Sequence, residues 1–261
     1  MIERYLAEMS VSELPELDGA ALYSLLAPGK RIRPLLCLAA AKSAGADPRD
    51  ALPAAAALEM VHAFSLVHDD LPALDDDDER RGKPTSHVRF GEGVAVLVGD
   101  ALLTAAFRHV AERLGGSAEV RLAVLGELAR GVSGMIDGQY LDVTADGPPS
   151  YRDLVRIHKL KTGALITCSV LCGLHVAGVD DEAKLGYKAF AEELGLLFQI
   201  VDDILDGGDD GEASFVTTLG MQRAKELAAE AHLRARALLA GIDADTGELA
   251  ELTELIARRT G

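Results

Sequence analysis

Apolar residues recur at helical spacing along almost the whole chain, and no stretch sustains the alternation of a half-buried strand. That periodicity restricts the fold more than any other feature. Ala and Leu dominate, aromatics amount to 4% and Trp is absent, so the core has to come from close-packed helices rather than a β-sandwich. At 261 residues the chain can bury a substantial core. No internal repeat, low-complexity tract or linker divides it, and the expectation is one all-α domain over residues 1–261, a bundle of about ten helices.

Turn residues set the helix limits. A short helix over 17–27 stops at Pro28-Gly29, and a second starts at Arg33-Pro34 and runs to Ala44, with proline in the first turn, where its missing N–H does no harm. Pro53 opens a long run to Asp70. Further helices are expected at 93–114 and 118–140, then a turn at Gly147-Pro148-Pro149. Ser150 reads as the N-cap of a helix over 151–160. The stretch 162–177 is apolar on all sides, the mark of a central buried element. Helices over 180–206, 217–240 and 246–259 complete the chain.

Two of these runs end in acids. One reads His68-Asp69-Asp70-Leu71-Pro72-Ala73-Leu74-Asp75, the other Gln199-Ile200-Val201-Asp202-Asp203-Ile204-Leu205-Asp206. Neighbouring buried carboxylates oppose one another's ionisation, through desolvation and like charge. Acids placed directly after core-forming residues are therefore expected to stay charged by holding divalent cations. Hard oxygen ligands suit Mg²⁺, which keeps waters and completes its shell with phosphate oxygens.

The clusters differ in shape. Gln199, Asp202 or Asp203, and Asp206 share one helix face. Asp69 and Asp75 are six apart, about 240° round an ideal helix, and cannot. Pro72 removes a helical donor and clashes with the preceding turn, so the helix should break near Leu71 and fold back, returning Asp75 towards Asp69. Asp76, Asp77 and Asp78 are expected to be solvated or paired with Arg80 and Arg81.

The formal charge of −16 argues against nucleic acid or an anionic membrane as partner. An anionic substrate then needs local cations. Basic residues gather at Gly29-Lys30-Arg31-Ile32-Arg33, at Arg80-Arg81-Gly82-Lys83 and at His158-Lys159-Leu160-Lys161-Thr162-Gly163. The first lies at a helix start, where free N–H groups already favour anions. His62 sits two turns before Asp69 on nearly the same stripe. Three basic groups with two acid clusters suggest two anionic groups bound side by side. Cys37, Cys168 and Cys172 lie in apolar stretches and read as reduced core thiols. No signal segment is recognised and no apolar run is expected to span a bilayer, which gives a soluble, cytoplasmic protein without stable membrane insertion.

With these residues in view, the chain resembles the isoprenyl (polyprenyl) diphosphate synthases, nearest the bacterial farnesyl type. The resemblance runs through Gly29-Lys30-Arg31-Ile32-Arg33-Pro34, the first acid cluster continuing into Arg80-Arg81-Gly82-Lys83-Pro84-Thr85, Gly99-Asp100-Ala101, Gly138-Gln139, Lys161-Thr162-Gly163, and Gln199 to Asp206. It implies an all-α bundle around a deep cavity, a homodimer, and Mg²⁺ as cofactor, three ions per site. Asp69 and Asp75, with Asp70 adjacent, would hold Mg²⁺ on an allylic diphosphate, and Asp202, with Asp203 and Asp206 in support, another. Arg80 and Lys161 would contact that diphosphate. Lys30, Arg33, His62 and Arg81 would grip isopentenyl diphosphate, and Thr162 and Gln199 would line the reaction centre.

The implied reaction is ionisation, condensation and elimination, and it needs no protein nucleophile. In such a family a bulky aromatic at Phe64, five residues before Asp69, blocks growth of the product. With the four-residue spacer Leu71–Leu74 it implies a C15 product, with C20 (geranylgeranyl diphosphate) as the alternative. A terpene cyclase is disfavoured by Lys30, Arg33 and Lys161-Thr162, and a non-catalytic subunit of a heteromeric synthase by two complete acid clusters. One departure stands out. The family continues past its second acid cluster with a loop carrying two lysines; here only Gly207–Ala213 intervenes, with no Lys between Lys188 and Lys225. Either the loop is genuinely shortened, which would imply low activity or a regulatory subunit, or the complete chain has a longer one; the surrounding residues fit an active enzyme and favour the second, which an intact mass near 27.5 kDa would contradict.

Overall fold

The computed structural model describes residues 1–147, 149–207 and 213–258. Pro148 of the expected turn, the helix end expected at Arg259 and most of the short segment after Asp206 lie outside the described residues. The elements in order are α1 (Ile2–Ala7), α2 (Pro15–Leu25), α3 (Ile32–Ser43), a 3-10 turn (Pro48–Ala51) and α4 (Leu52–Asp69). A two-residue antiparallel pair follows, β1 (Glu79–Arg80) and β2 (Lys83–Pro84), with Glu79 opposite Pro84. Then come α5 (Ser86–Phe90), α6 (Glu92–Arg113), α7 (Ala118–Val143), α8 (Tyr151–His158), a π-helical turn (Lys159–Gly163), α9 (Ala164–Val176) and α10 (Asp181–Asp206). The last elements are α11 (Phe215–Leu219), α12 (Met221–Ala240) and α13 (Gly247–Ala257).

The all-α expectation holds, and the long helices fall where periodicity put them. Ser150 caps α8 as expected, its hydroxyl accepting from the Asp153 amide. The helix expected over 217–240 is in fact two, because Gly220 takes φ +83° between α11 and α12, a conformation that ends a helix. Short α1 and α5 carry too few residues for periodicity to mark.

Two apolar clusters form the core. One gathers α1, α2, α4, α6 and α7, the other α10, α11, α12 and α13, and α3 and α9 contribute to both. The all-apolar α9 is thus central, as its composition implied. Phe190 and Phe215 are among the largest fully buried side chains, each contributing about 1.5–3 kcal/mol by its removal from water. Cys37, Cys168 and Cys172 are buried free thiols.

One expectation is corrected. Residues 48–69 and 92–113 are each helical, long and apolar enough to cross a membrane. The first is mostly buried within the bundle, where its run of alanines lets neighbouring helices approach closely. Composition alone cannot separate such a core helix from a span.

Candidate active site

A cavity of about 860 Å³ opens between the start of α3, the end of α4, α7, the π-helical turn and α10. Lys30, Arg33, His62, Phe64, Asp69, Arg81, Lys161, Thr162, Gln199 and Asp202 all line it. Residues more than 170 positions apart in sequence therefore meet around one space. Asp70, Asp75, Arg80, Asp203 and Asp206 are not among its lining residues.

In the first cluster α4 ends at Asp69 and the chain turns back over Leu71-Pro72. The amide of Asp75 donates to the Asp69 carbonyl at 2.9 Å, and that of Asp76 to the Leu71 carbonyl. The break that Pro72 required thus returns Asp75 to Asp69. Burial pushes the Asp69 carboxyl up to about 6, with Asp75 and Asp70 adding to the rise and Lys161 and Arg80 opposing it. Asp70 is 4% exposed and turned away; its Oδ1 accepts from Arg80 Nε at 2.5 Å. Arg80 also reaches Asp77 at 3.1 Å. Arg80 is therefore held by two acids of its own loop.

The second cluster divides likewise. Asp202 lines the cavity, whereas Asp203 is 5% exposed and fully engaged. Gln199 Nε2 donates to Asp203 Oδ1 at 2.7 Å, and the Phe215 amide donates to Oδ2 at 2.7 Å. Burial raises the Asp203 carboxyl to about 6 against these two bonds, with Asp202 and Asp206 adding their charge. Thr162 Oγ1 donates to Gln199 Oε1 at 2.8 Å, so a single chain of bonds runs from Thr162 through Gln199 and Asp203 to the start of α11. Asp206 is the exposed last residue of α10, before Gly207 at φ +73°. Spacing had left Asp202 and Asp203 equivalent; the structure turns only the first to the cavity.

Lys161 and Thr162 sit in the π-helical turn, a local widening that recurs at functional sites. Gly138 makes it possible: a Cβ there would overlap the Lys161 backbone. Lys161 Nζ donates to Asp142 Oδ2 at 2.6 Å. Burial works against the lysine charge, but this bond and the charges of Asp142, Asp69 and Asp75 outweigh it and raise the pKa.

The remaining cations surround His62. Burial, then Arg33, Arg81, Arg80 and Arg31, hold this imidazole well below the usual histidine range. His62 is neutral at physiological pH and offers a hydrogen-bond donor, not a charge. Arg33 is half-buried, its Nε buried and unbonded within the protein; burial and Arg81 lower its pKa while Glu59 and Asp202 oppose them. Arg81 takes φ +55° and donates to the Pro28 carbonyl at 2.6 Å.

Three further residues shape the site without having been assigned to it from sequence, although His158 stands in one of the basic groups. Glu59, 3% exposed, accepts from Arg31 Nη1 at 2.6 Å and sits among the guanidinium groups as their counter-charge. Asp142, four residues after Gly138, orients Lys161. His158 stacks on Phe215 with ring centroids 5.3 Å apart and Nε2 3.8 Å from Asp203 Oδ2; burial drives it down to about 4.

The polyprenyl synthetase family model matches residues 14–214. The chain is 44% identical to the chloroplastic geranylgeranyl pyrophosphate synthase of Catharanthus roseus, over 95% of this chain and 75% of that one. It is 41% identical to the farnesyl diphosphate synthase of Geobacillus stearothermophilus, over 94% of this chain and 89% of that one. A geranyltransferase of Helicobacter pylori, solved with magnesium and isoprenyl diphosphate, matches with a TM-score of 0.88 at 30% identity, over 98% and 93% of the two chains. Similarity of that extent along both sequence and structure, joined to a cavity of acids and guanidinium groups inside an all-α bundle, establishes that this chain belongs to the polyprenyl synthetase family and is a prenyltransferase.

Proposed function

We propose that the chain condenses isopentenyl diphosphate with an allylic diphosphate, dimethylallyl or geranyl, to give farnesyl diphosphate and pyrophosphate in a Mg²⁺-dependent reaction. One observation carries this reading: a single cavity combines acids from two separate helices, Asp69 and Asp202, with Lys30, Arg33, Arg81 and neutral His62. Two diphosphates bound together require both halves, metal-type ligands for one and protein cations for the other.

The donors fit Mg²⁺. Asp69, Asp75 and Asp202 would hold it, as hard carboxylates of which Asp69 is pushed up to about 6 by burial and by the charges of Asp75 and Asp70. Among the described residues no three such ligands converge closely enough to bind a metal by themselves. Mg²⁺ completes its shell with waters and substrate oxygens; three ions per site is the number the family resemblance implies. When bound, Mg²⁺ supplies charge stabilisation for the leaving pyrophosphate.

The protein does the rest. Lys161 adds positive charge beside the allylic diphosphate, and the C–O bond breaks with its electron pair going to pyrophosphate. The Thr162 oxygen and the Gln199 carbonyl oxygen, fixed by their mutual bond, face the allylic cation with lone pairs. Lys30, Arg33, Arg81 and His62 hold isopentenyl diphosphate so that its double bond attacks that carbon. A proton then leaves to the departing pyrophosphate and the new double bond forms. The apolar wall that includes Met135, Ile136 and Phe198 keeps water from the cation. Asp70, Arg80 and Asp203 act as the frame, and Asp206 supports the second cluster. Phe64 ends growth at C15. The enzyme works in the cytoplasm as one domain, and as a homodimer, for which exposed Val88, Val94, Val96 and Leu97 on α5 and α6 offer an apolar face.

Incubation with radiolabelled isopentenyl diphosphate and dimethylallyl or geranyl diphosphate, followed by product sizing, tests this. The expected result is label in a C15 product that disappears when Mg²⁺ is chelated. Label in C20 would correct the length to that of a geranylgeranyl synthase. No incorporation would overturn the reading.

A further inference from the structure

Phe64 is in ring contact with a second side chain of α4. Phe64 and His68 are four residues apart on α4 and their rings meet edge to face, with centroids 4.9 Å apart and planes at 73°. Both line the cavity. His68 lies against α6 where that helix has no side chain: a Cβ on Gly99 would fall within the imidazole. Its Nε2 lies 3.2 Å from the Val96 carbonyl oxygen. A carbonyl only accepts, so the ring carries its proton on Nε2 and donates. One bond and one vacancy on α6 thus fix the imidazole, and the imidazole fixes the edge of the Phe64 ring.

We propose that His68, seated over Gly99 and bonded to the Val96 carbonyl, is a positioning residue that locks Phe64 across the cavity and so sets product length. The inference rests on the reading above that Phe64 stops chain growth. Phe64 is 7% exposed and packed against the apolar core, and a stop whose ring can still tilt on its cavity side gives a mixed product. His68 removes that freedom from one side, and the bare backbone at Gly99 leaves the space in which the imidazole does so. The bare backbone at residue 99 is therefore a requirement of specificity, not merely of helix packing.

Product profiles of Phe64→Ala, His68→Ala, Gly99→Ala and the double variant Phe64→Ala/His68→Ala test it, with labelled isopentenyl diphosphate and geranyl diphosphate. His68→Ala and Gly99→Ala should each raise the share of products longer than C15 by about tenfold, the scale on which a pocket discriminates small apolar increments. KM for isopentenyl diphosphate should stay near the wild-type value, which a general loss of structure would not allow. The double variant should match Phe64→Ala alone, because a lock has nothing to hold once the ring is gone. If Gly99→Ala fails to fold, His68→Ala carries the test. If Phe64→Ala lengthens the product and His68→Ala does not, the lock is refuted while the stop stands. A double variant longer than Phe64→Ala would also refute it, making His68 a wall in its own right. No change in Phe64→Ala would remove the stop itself.

Discussion

The two acid clusters are built on opposite plans and end in the same division of labour. The first is a helix broken at Pro72, with Asp75 brought back onto the Asp69 carbonyl. The second is an unbroken helix to Asp206. In each, the leading aspartate lines the cavity and the one after it is buried and bonded to protein, Asp70 to Arg80 and Asp203 to Gln199 and the Phe215 amide. Adjacent residues on a helix point about 100° apart, so a pair of aspartates at a helix end divides naturally between cavity and frame. What differs is the anchor. A half-exposed arginine holds Asp70, whereas Asp203 binds a main-chain amide and an amide side chain that itself touches Thr162.

The comparison breaks most visibly in catalysis. Asp69→Ala and Asp202→Ala should each lower kcat by about 10³-fold or more, the scale of losing a principal charge-stabilising group, measured by label incorporation at saturating Mg²⁺. A loss below tenfold at either would deny the leading aspartates a common role.

Stability separates the two frame residues. Asp203→Ala leaves the Gln199 amide and the Phe215 N–H without an acceptor and should cost about 2–4 kcal/mol, read from urea unfolding. Asp70→Ala strands a partly exposed arginine that keeps Asp77 and water, and should cost about 1 kcal/mol. Equal costs would show that the anchors are not distinct.

Asp69 and Asp203 both titrate near 6, yet substitution by asparagine should move stability in opposite directions. A carboxyl raised from 3.8 to about 6 holds its proton more tightly folded than unfolded, so metal-free stability is fullest below about pH 4 and falls as pH rises through 6. Asp69→Asn removes that loss and should stabilise the metal-free protein at pH 8 by about 1–2 kcal/mol, with little change near pH 4. Asp203→Asn relieves the same charge but sets an NH₂ group against a donor, and should destabilise at both pH values. Thermal melts at pH 4.5 and pH 8 without divalent cations check this; stabilisation by both variants would mean that the Asp203 bonds contribute nothing. The smallest effect expected is in metal linkage. The rise in Tm on adding Mg²⁺ and pyrophosphate should be greater at pH 8 than at pH 5.5, because protons compete for Asp69 below 6.

How much of this was legible in the sequence depends on whether the cause was local. The break at Pro72, the cap at Ser150 and the long helices follow from neighbouring residues, and the sequence is enough. The Gly220 break has a local cause, a glycine at φ +83°, that helical periodicity does not register, and the π-helical turn at Lys159–Gly163 depends on a packing partner, Gly138 on α7. Glu59 could not be found, since its value lies in Arg31, 28 residues away. Asp142 had only its interval from Gly138 to mark it. The choice between Asp202 and Asp203 needed the position of Phe215, beyond a segment that spacing cannot place.

Calorimetric titration of Mg²⁺ with pyrophosphate into Asp202→Asn and Asp203→Asn, side by side, tests the central claim most directly. The leading aspartate should carry the affinity: Asp202→Asn weakens binding by about tenfold or more, and Asp203→Asn, at a temperature where it remains folded, stays within about threefold of the wild type. The reverse order, or equal loss at both, would contradict the division between cavity and frame.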